Sequence, residues 1–154
     1  LLIFFITLNG CGFNPLYNSN YRSKTDALKI HIANIDTPIG YELRKILVRH
    51  FGSHDTPTHT LKVAIETQTN RGIITKANEI TRYNISLNAK YELVALESDK
   101  SLGVQEVSKK TGYSSETNVS GYAANTAKKD AKARLAKQVA DEIITRLAIS
   151  YDLL

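Results

Sequence analysis

Between Tyr83 and Ala95 the chain alternates without a break. Tyr83, Ile85, Leu87, Ala89, Tyr91, Leu93 and Ala95 fall on one side, and Arg82, Asn84, Ser86, Asn88, Lys90 and Glu92 on the other. A period of two fits a β-strand and no helix, because successive side chains of a strand point to opposite faces. One apolar and one polar face imply an antiparallel sheet covered on one side only. The rest of the chain must therefore supply that cover.

Two segments have the spacing to do so. Asp36-Thr37-Pro38 provides a capping side chain and a proline near a helix start. Ile39, Leu43, Ile46, Leu47, His50 and Phe51 follow at helical intervals, and Gly52 stops the run. A second, longer helix is predicted over Asn118 to Ser150. Ala124, Ala127, Ala131, Leu135, Val139, Ile143 and Leu147 form its apolar stripe, and Lys128, Lys129, Lys132 and Lys137 its polar side. Three further segments read as strands. Ala27 to Ile35 alternates around Leu28, Ile30 and Ile32. After a loop from Ser53 to Thr58, a strand opens at His59 with Leu61, Val63 and Ile65 on one face. Leu102 to Tyr113 returns from a polar turn at Glu97-Ser98-Asp99-Lys100. Asn70-Arg71-Gly72 carries a turn signal, Ile73 and Ile74 restart a strand, and Lys76 to Glu79 breaks it. The order is strand, helix, three strands or more, helix. Helices gathered on one face of an antiparallel sheet make a two-layer α+β domain.

The N-terminus tells a different story. Leu1 to Thr7 is an uncharged, mostly apolar run leading into Leu8-Asn9-Gly10-Cys11, which holds the single cysteine of the chain. This has the length of a signal-peptide apolar region followed by a small residue before a cysteine. It is too short to cross a bilayer, which takes roughly 20 apolar residues. Residues 1–10 therefore read as a signal peptide whose basic n-region is missing from the sequence, and Cys11 as the site of lipid attachment. Residues 11–26, rich in Asn, Ser and Gly, read as a lipidated tether. Residues 27–154 form a single α+β domain, a length that suits one core.

Little in the sequence suggests catalysis. His50, His54 and His59 lie close together with Asp55 among them, but on a helix end, a loop and a strand start, where nothing makes them converge on a metal. No two carboxylates have a reason to meet across a substrate. Gly-rich phosphate loops, nucleophile elbows and HExxH are absent. No catalytic residue, metal ligand or cofactor is therefore expected. Charge is the remaining signal. The net charge is +5 and the pI about 9.3, which favours an anionic partner, and the leader argues against nucleic acid. Arg71, Lys76 and Arg82 flank one predicted strand connection, and Lys109 and Lys110 fall near the end of the next strand. These five cations are the candidate anion-binding residues, by charge-assisted hydrogen bonds to phosphate. The residues leave two other classes open. One is a lipid-anchored periplasmic enzyme, which converging His or Glu side chains in a pocket would mark. The other is a cytoplasmic nucleic-acid-binding domain, which an upstream sequence extending the fold would mark.

Taken together, the chain resembles the LPS-assembly lipoprotein family, the small lipoprotein subunit of the outer-membrane lipopolysaccharide translocon. Cys11-Gly12-Phe13-Asn14-Pro15-Leu16-Tyr17 is similar to the family's CGFxPLY opening. Ile39 to Arg44, Arg82 with the strand to Leu93, and Tyr122-Ala123 resemble the family in order and spacing. The resemblance implies a two-helix, four-strand fold without catalysis. It also implies a lipid-anchored protein on the periplasmic side of the outer membrane, which plugs a large LptD-like β-barrel. That protein contacts lipopolysaccharide during its delivery to the cell surface. Gly12 after the cysteine, where Asp would suggest inner-membrane retention, is read as outer-membrane sorting.

Overall fold

A computed structural model describes residues 29–72, 82–114 and 121–152; Cys11, the tether and Lys76 lie outside the described residues. In chain order the elements are β1 (Ile30–Ile32), α1 (Pro38–Phe51), β2 (His59–Arg71), β3 (Arg82–Ala95), β4 (Lys100–Ser114) and α2 (Gly121–Asp152). The strands form one sheet in the order β1-β2-β3-β4. The three long strands pair antiparallel, while β1 pairs parallel with β2, Ile30 opposite His59. Parallel neighbours need a crossover connection, and α1 is that crossover. The fold is thus α+β, with a mostly antiparallel four-stranded sheet and two helices on it.

The strand alternation holds from Ile85 to Leu93; beyond it, next to the register shift, Val94 is buried and Ala95 half-buried. Ile85, Leu87 and Ala89 are fully buried, and Tyr91 and Leu93 nearly so, in a single core cluster with residues of both helices. From α1 the cluster takes Ile39, Leu43, Leu47 and Phe51; His50 is exposed at the helix end, its ring edge-on to Phe51. From α2 it takes Ala131, Leu135, Ala136, Val139, Ala140, Ile143 and Leu147. The cover comes from this later part of α2; Ala124 and Ala127 in its first turns are only half-buried. α2 lies over β4 and β3, and α1 packs beside it and over β1. Thirty-two helical residues span about 48 Å. That matches the roughly 46 Å of a 14-residue β3, so one helix can follow the sheet along its length.

Local chemistry sets the boundaries of α1. Thr37 is the N-cap, its Oγ1 accepting from Gly40 N at 3.0 Å, with Pro38 in the first turn. At the other end Gly52 N donates to Val48 O, and His54 Nε2 hydrogen-bonds the Phe51 carbonyl at 2.9 Å. In β4 the register slips by one between Glu92 and Val94, which face Val104 and Ser101. The extra residue is a bulge, and Gly103 takes the positive φ of 123° there, which costs a glycine little.

Three expectations from sequence need correction. Among the described residues the first strand spans only Ile30–Ile32, flanked by single backbone bonds of Lys29 and Ala33 to His59 and Leu61 of β2, and the chain leaves the sheet after Ala33 rather than at Ile35. Asn70-Arg71-Gly72 is not a turn: β2 runs through Arg71, which faces Tyr83, and Gly72 N donates to Arg82 O at 2.7 Å. The ladder offered by β3 overrides the local turn preference of Asn and Gly. Lys109, in turn, does not lie free near a strand end. It sits in mid-β4 on the helix side and bonds Glu142 of α2 at 2.9 Å. Glu142 also accepts from Arg146 Nε at 2.8 Å, and Arg146 Nη1 donates to Glu106 O at 2.9 Å. These contacts clamp α2 to β4. They hold the Glu142 carboxyl below its usual range, first through the Lys109 hydrogen bond and then through Arg146.

Two outcomes follow from this packing. Leu87→Ala should lower stability by about 2–5 kcal/mol, as large-to-small core changes do. Asn88→Ala, on the open face with a 2.7 Å hydrogen bond from Ser108, should cost much less; denaturant melts of the two variants check the register. Glu142→Gln should destabilise by under about 1 kcal/mol, since both ion pairs are partly solvated. A lowered carboxyl pKa stabilises the fold above the unfolded value and loses its effect as pH falls. The gap between wild type and Glu142→Gln should therefore hold at neutral pH and narrow below about 4.3. A gap that widens on acidification would contradict the clamp.

Candidate functional site

Past Ile65, β2 runs out from under the cover while its partner β3 stays beneath it. From Glu66 to Arg71 every residue of β2 is exposed. Here the two ring faces of Tyr83 and Tyr113, directly opposite on β3 and β4, stack at 5.2 Å and 12°. Such a cross-strand aromatic pair stiffens the strand end, and Tyr113 packs against the edge of the core. Burial raises the Tyr113 hydroxyl above its ordinary pKa, with a smaller push from Tyr83.

Arg71 and Arg82 both lie at this end. Alternation puts them on opposite faces, however. A Cβ on Gly72 would meet the Arg82 Cβ at 3.5 Å, so Gly72 and Arg82 share the open face. Arg71, opposite Tyr83, points to the face that carries the helices. The two guanidinium groups therefore bracket the strand end rather than converge from one side.

Arg82 has a nearer companion that the sequence did not suggest. A cleft of about 440 Å³ is lined by Arg82, Tyr113, Ser114 and Gly112 of the sheet, and by Ala127, Asp130 and Arg134 of α2. Arg134 Nη2 reaches Gly112 O at 3.4 Å. A Cβ on Gly112 would lie 3.2 Å from Arg82 Nε and 3.3 Å from Asn84 Oδ1, so glycine leaves the space that the guanidinium fills. Two planar cations and one carboxylate thus line one wide-mouthed cleft. Guanidinium groups match the oxygens of phosphate through paired donors, and Asp130 limits the excess charge. Arg134 was missed because it belongs neither to the apolar stripe of α2 nor to its lysine face. Only the edge of β4 gives it a neighbour.

Lys109 and Lys110 line a second open cleft, of about 500 Å³, with Gln138, Asp141, Glu142 and Thr145. Lys110 is exposed there, whereas Lys109 is held by Glu142. The histidines do not meet as a group. His54 is bonded to the end of α1, and His59 Nδ1 to Thr58 Oγ1 at 2.9 Å. Among the described residues no His, Cys, Asp or Glu cluster is arranged to hold a metal, and no helix is long and apolar enough to cross a membrane.

The architecture recurs in solved structures. A protein of Caulobacter crescentus described as a lipoprotein superposes with a TM-score of 0.68 at 18% identity, over 86% of this chain and 96% of that one. Rare lipoprotein B of Shewanella oneidensis gives 0.61 at 10% identity, over 79% and 93%. A minor lipoprotein of Acinetobacter baumannii gives 0.54 at 10% identity, over 79% and 89%. At these identities the likeness is one of fold. None of the curated proteins matches the sequence. The family model described as LptE, lipopolysaccharide-assembly, matches residues 26–147. With the greater part of its length accounted for by that model, the chain belongs to the LptE lipopolysaccharide-assembly family.

Proposed function

We propose that this protein is a non-catalytic, lipid-anchored component of the outer-membrane machinery that assembles lipopolysaccharide. In this reading Cys11 carries the lipid, and the domain faces the periplasm and the lumen of an LptD-like β-barrel, which it plugs and supports. Lipopolysaccharide is contacted in passage. The observation that carries the ligand side of the reading is the cationic strand end, where Arg71, Arg82 and Arg134 surround the tip of the sheet. Lipopolysaccharide bears phosphates on its lipid-linked sugars, and paired guanidinium donors suit phosphate. Lys76, Lys109 and Lys110 complete the proposed set, with Lys109 the weakest member because it already bonds Glu142.

Charge reversal tests this. Arg71→Glu with Arg82→Glu should weaken binding of the purified protein to lipopolysaccharide without unfolding it, since exposed positions usually move stability by under about 0.5 kcal/mol. Binding should also fall as salt rises, because the attraction is screened over about 10 Å at roughly 0.1 M. Reversing Lys128 and Lys132 on α2 controls for net charge and should matter less. Equal losses from the two sets would show nonspecific attraction and remove the strand-end site.

The anchor is tested separately. Expressed behind a complete signal peptide, the protein should incorporate labelled acyl chains and fractionate with outer membrane. Cys11→Ala should abolish the label, and equal labelling of both forms would exclude lipidation at Cys11. Co-purification from outer membranes should bring down the barrel partner.

A further inference from the structure

The long outer edge of β4 presents unpaired backbone to whatever lies beside it. Its polarity can be read from the ladder. Arg82 O accepts from Gly72 N, so Arg82 directs its backbone groups toward β2 and away from β4. Its partner Ser114 therefore directs its own outward, as do Gly112, Lys110, Ser108 and Glu106 at intervals of two. An edge of this length is a template for pairing with another strand.

Two arginines of α2 close it. Arg146 Nη1 donates to Glu106 O at 2.9 Å, and Arg134 Nη2 to Gly112 O at 3.4 Å. The spacings agree: twelve helical residues advance about 18 Å, and six strand residues about 20 Å. Between the two guanidinium groups lie Ser108 and Lys110, beside the open cleft already described. We propose that the β4 edge is a latent pairing surface for the β4 edge of a second copy of this chain, held closed by Arg134 and Arg146.

Charge complementarity selects a second copy as the occupant. An antiparallel pair about a twofold axis at Ser108 sets Ser108 opposite Ser108, and Glu106 opposite Lys110 on both sides. Both charged side chains are exposed on the open face. Opposite charges directly across a strand pair stabilise it, and like charges there oppose it. The isologous geometry closes on itself as a dimer. With the arginines in place, the Glu106 and Gly112 carbonyls are already bonded and the two guanidinium groups stand in the path of the incoming strand. The wild-type chain is then monomeric.

Sedimentation of the full chain in density-matched detergent tests this. Wild type should carry one chain per particle at all concentrations. R134A/R146A should carry two, in a concentration-dependent manner. Adding K110E, which sets two carboxylates opposite one another, should return it to one, and E106K/K110E in the same background should restore two. S108P removes an outward N–H without touching the ladder to β3, and should also give one. A folded R134A/R146A that stays monomeric overturns the proposal. So does a dimer that ignores K110E and S108P, because it would form elsewhere. If circular dichroism shows the alanine pair unfolded, R134Q/R146Q keeps part of the apolar stems and is read by the same outcomes.

Discussion

Everything in this domain depends on the burial of one face of β3 beneath α2. Ile85, Leu87 and Ala89 meet Leu135, Val139 and Ile143 in a core from which water is fully excluded. Burial of such side chains is worth about 1.5–3 kcal/mol each before entropy is counted. The helix is stabilised by that face, and β4 lies beneath it because it pairs with β3. The parallel addition of β1 and α1 extends the same apolar layer to the other edge of the sheet.

Because the cover is finite, the part of the sheet it does not reach has its own character. β2 loses its buried positions after Leu61, with Val63 and Ile65 half-covered and everything from Glu66 outward exposed. Where burial stops, polar and cationic side chains cost little, and Arg71, Arg82 and Arg134 occur there. The Tyr83–Tyr113 stack ties the ends of β3 and β4 together at this tip. The proposed ligand contacts and the fold's stability are therefore separated in space. Charges at the tip can be altered without opening the core, which suits a surface that handles a large anionic amphiphile in passing.

The seam between α2 and β4 has a third character. It is polar, partly solvated and organised around Glu142, which joins Lys109 and Arg146. Pairs of this exposure add little to stability, but they fix the azimuth of the helix. That orientation is what lets Arg134 and Arg146 reach the edge carbonyls of β4. One helix thus covers the sheet's face and its long free edge at once.

The alternation from Tyr83 to Ala95, the capping sequence before Ile39 and the stripe of α2 were all legible in the sequence. Each is a short-range pattern, set by the two-residue and 3.6-residue periods of the backbone, and each appears in the fold over most of its length, Ile85 to Leu93 in β3 and Ala131 to Leu147 in α2. The placement of charges was not legible in the same way. Asn70-Arg71-Gly72 carries turn chemistry, yet β3 supplies hydrogen-bond partners that draw it into the ladder. Lys109 reads as a free cation until Glu142, thirty-three residues on, comes within 2.9 Å. Arg71 and Arg82 share an end of the sheet but not a face, and Arg134 joins Arg82 only because α2 crosses beside β4. Periodicity is a property of neighbours along the chain, whereas a charged side chain is defined by whatever the packed core brings to its far end, and only the tertiary structure decides that.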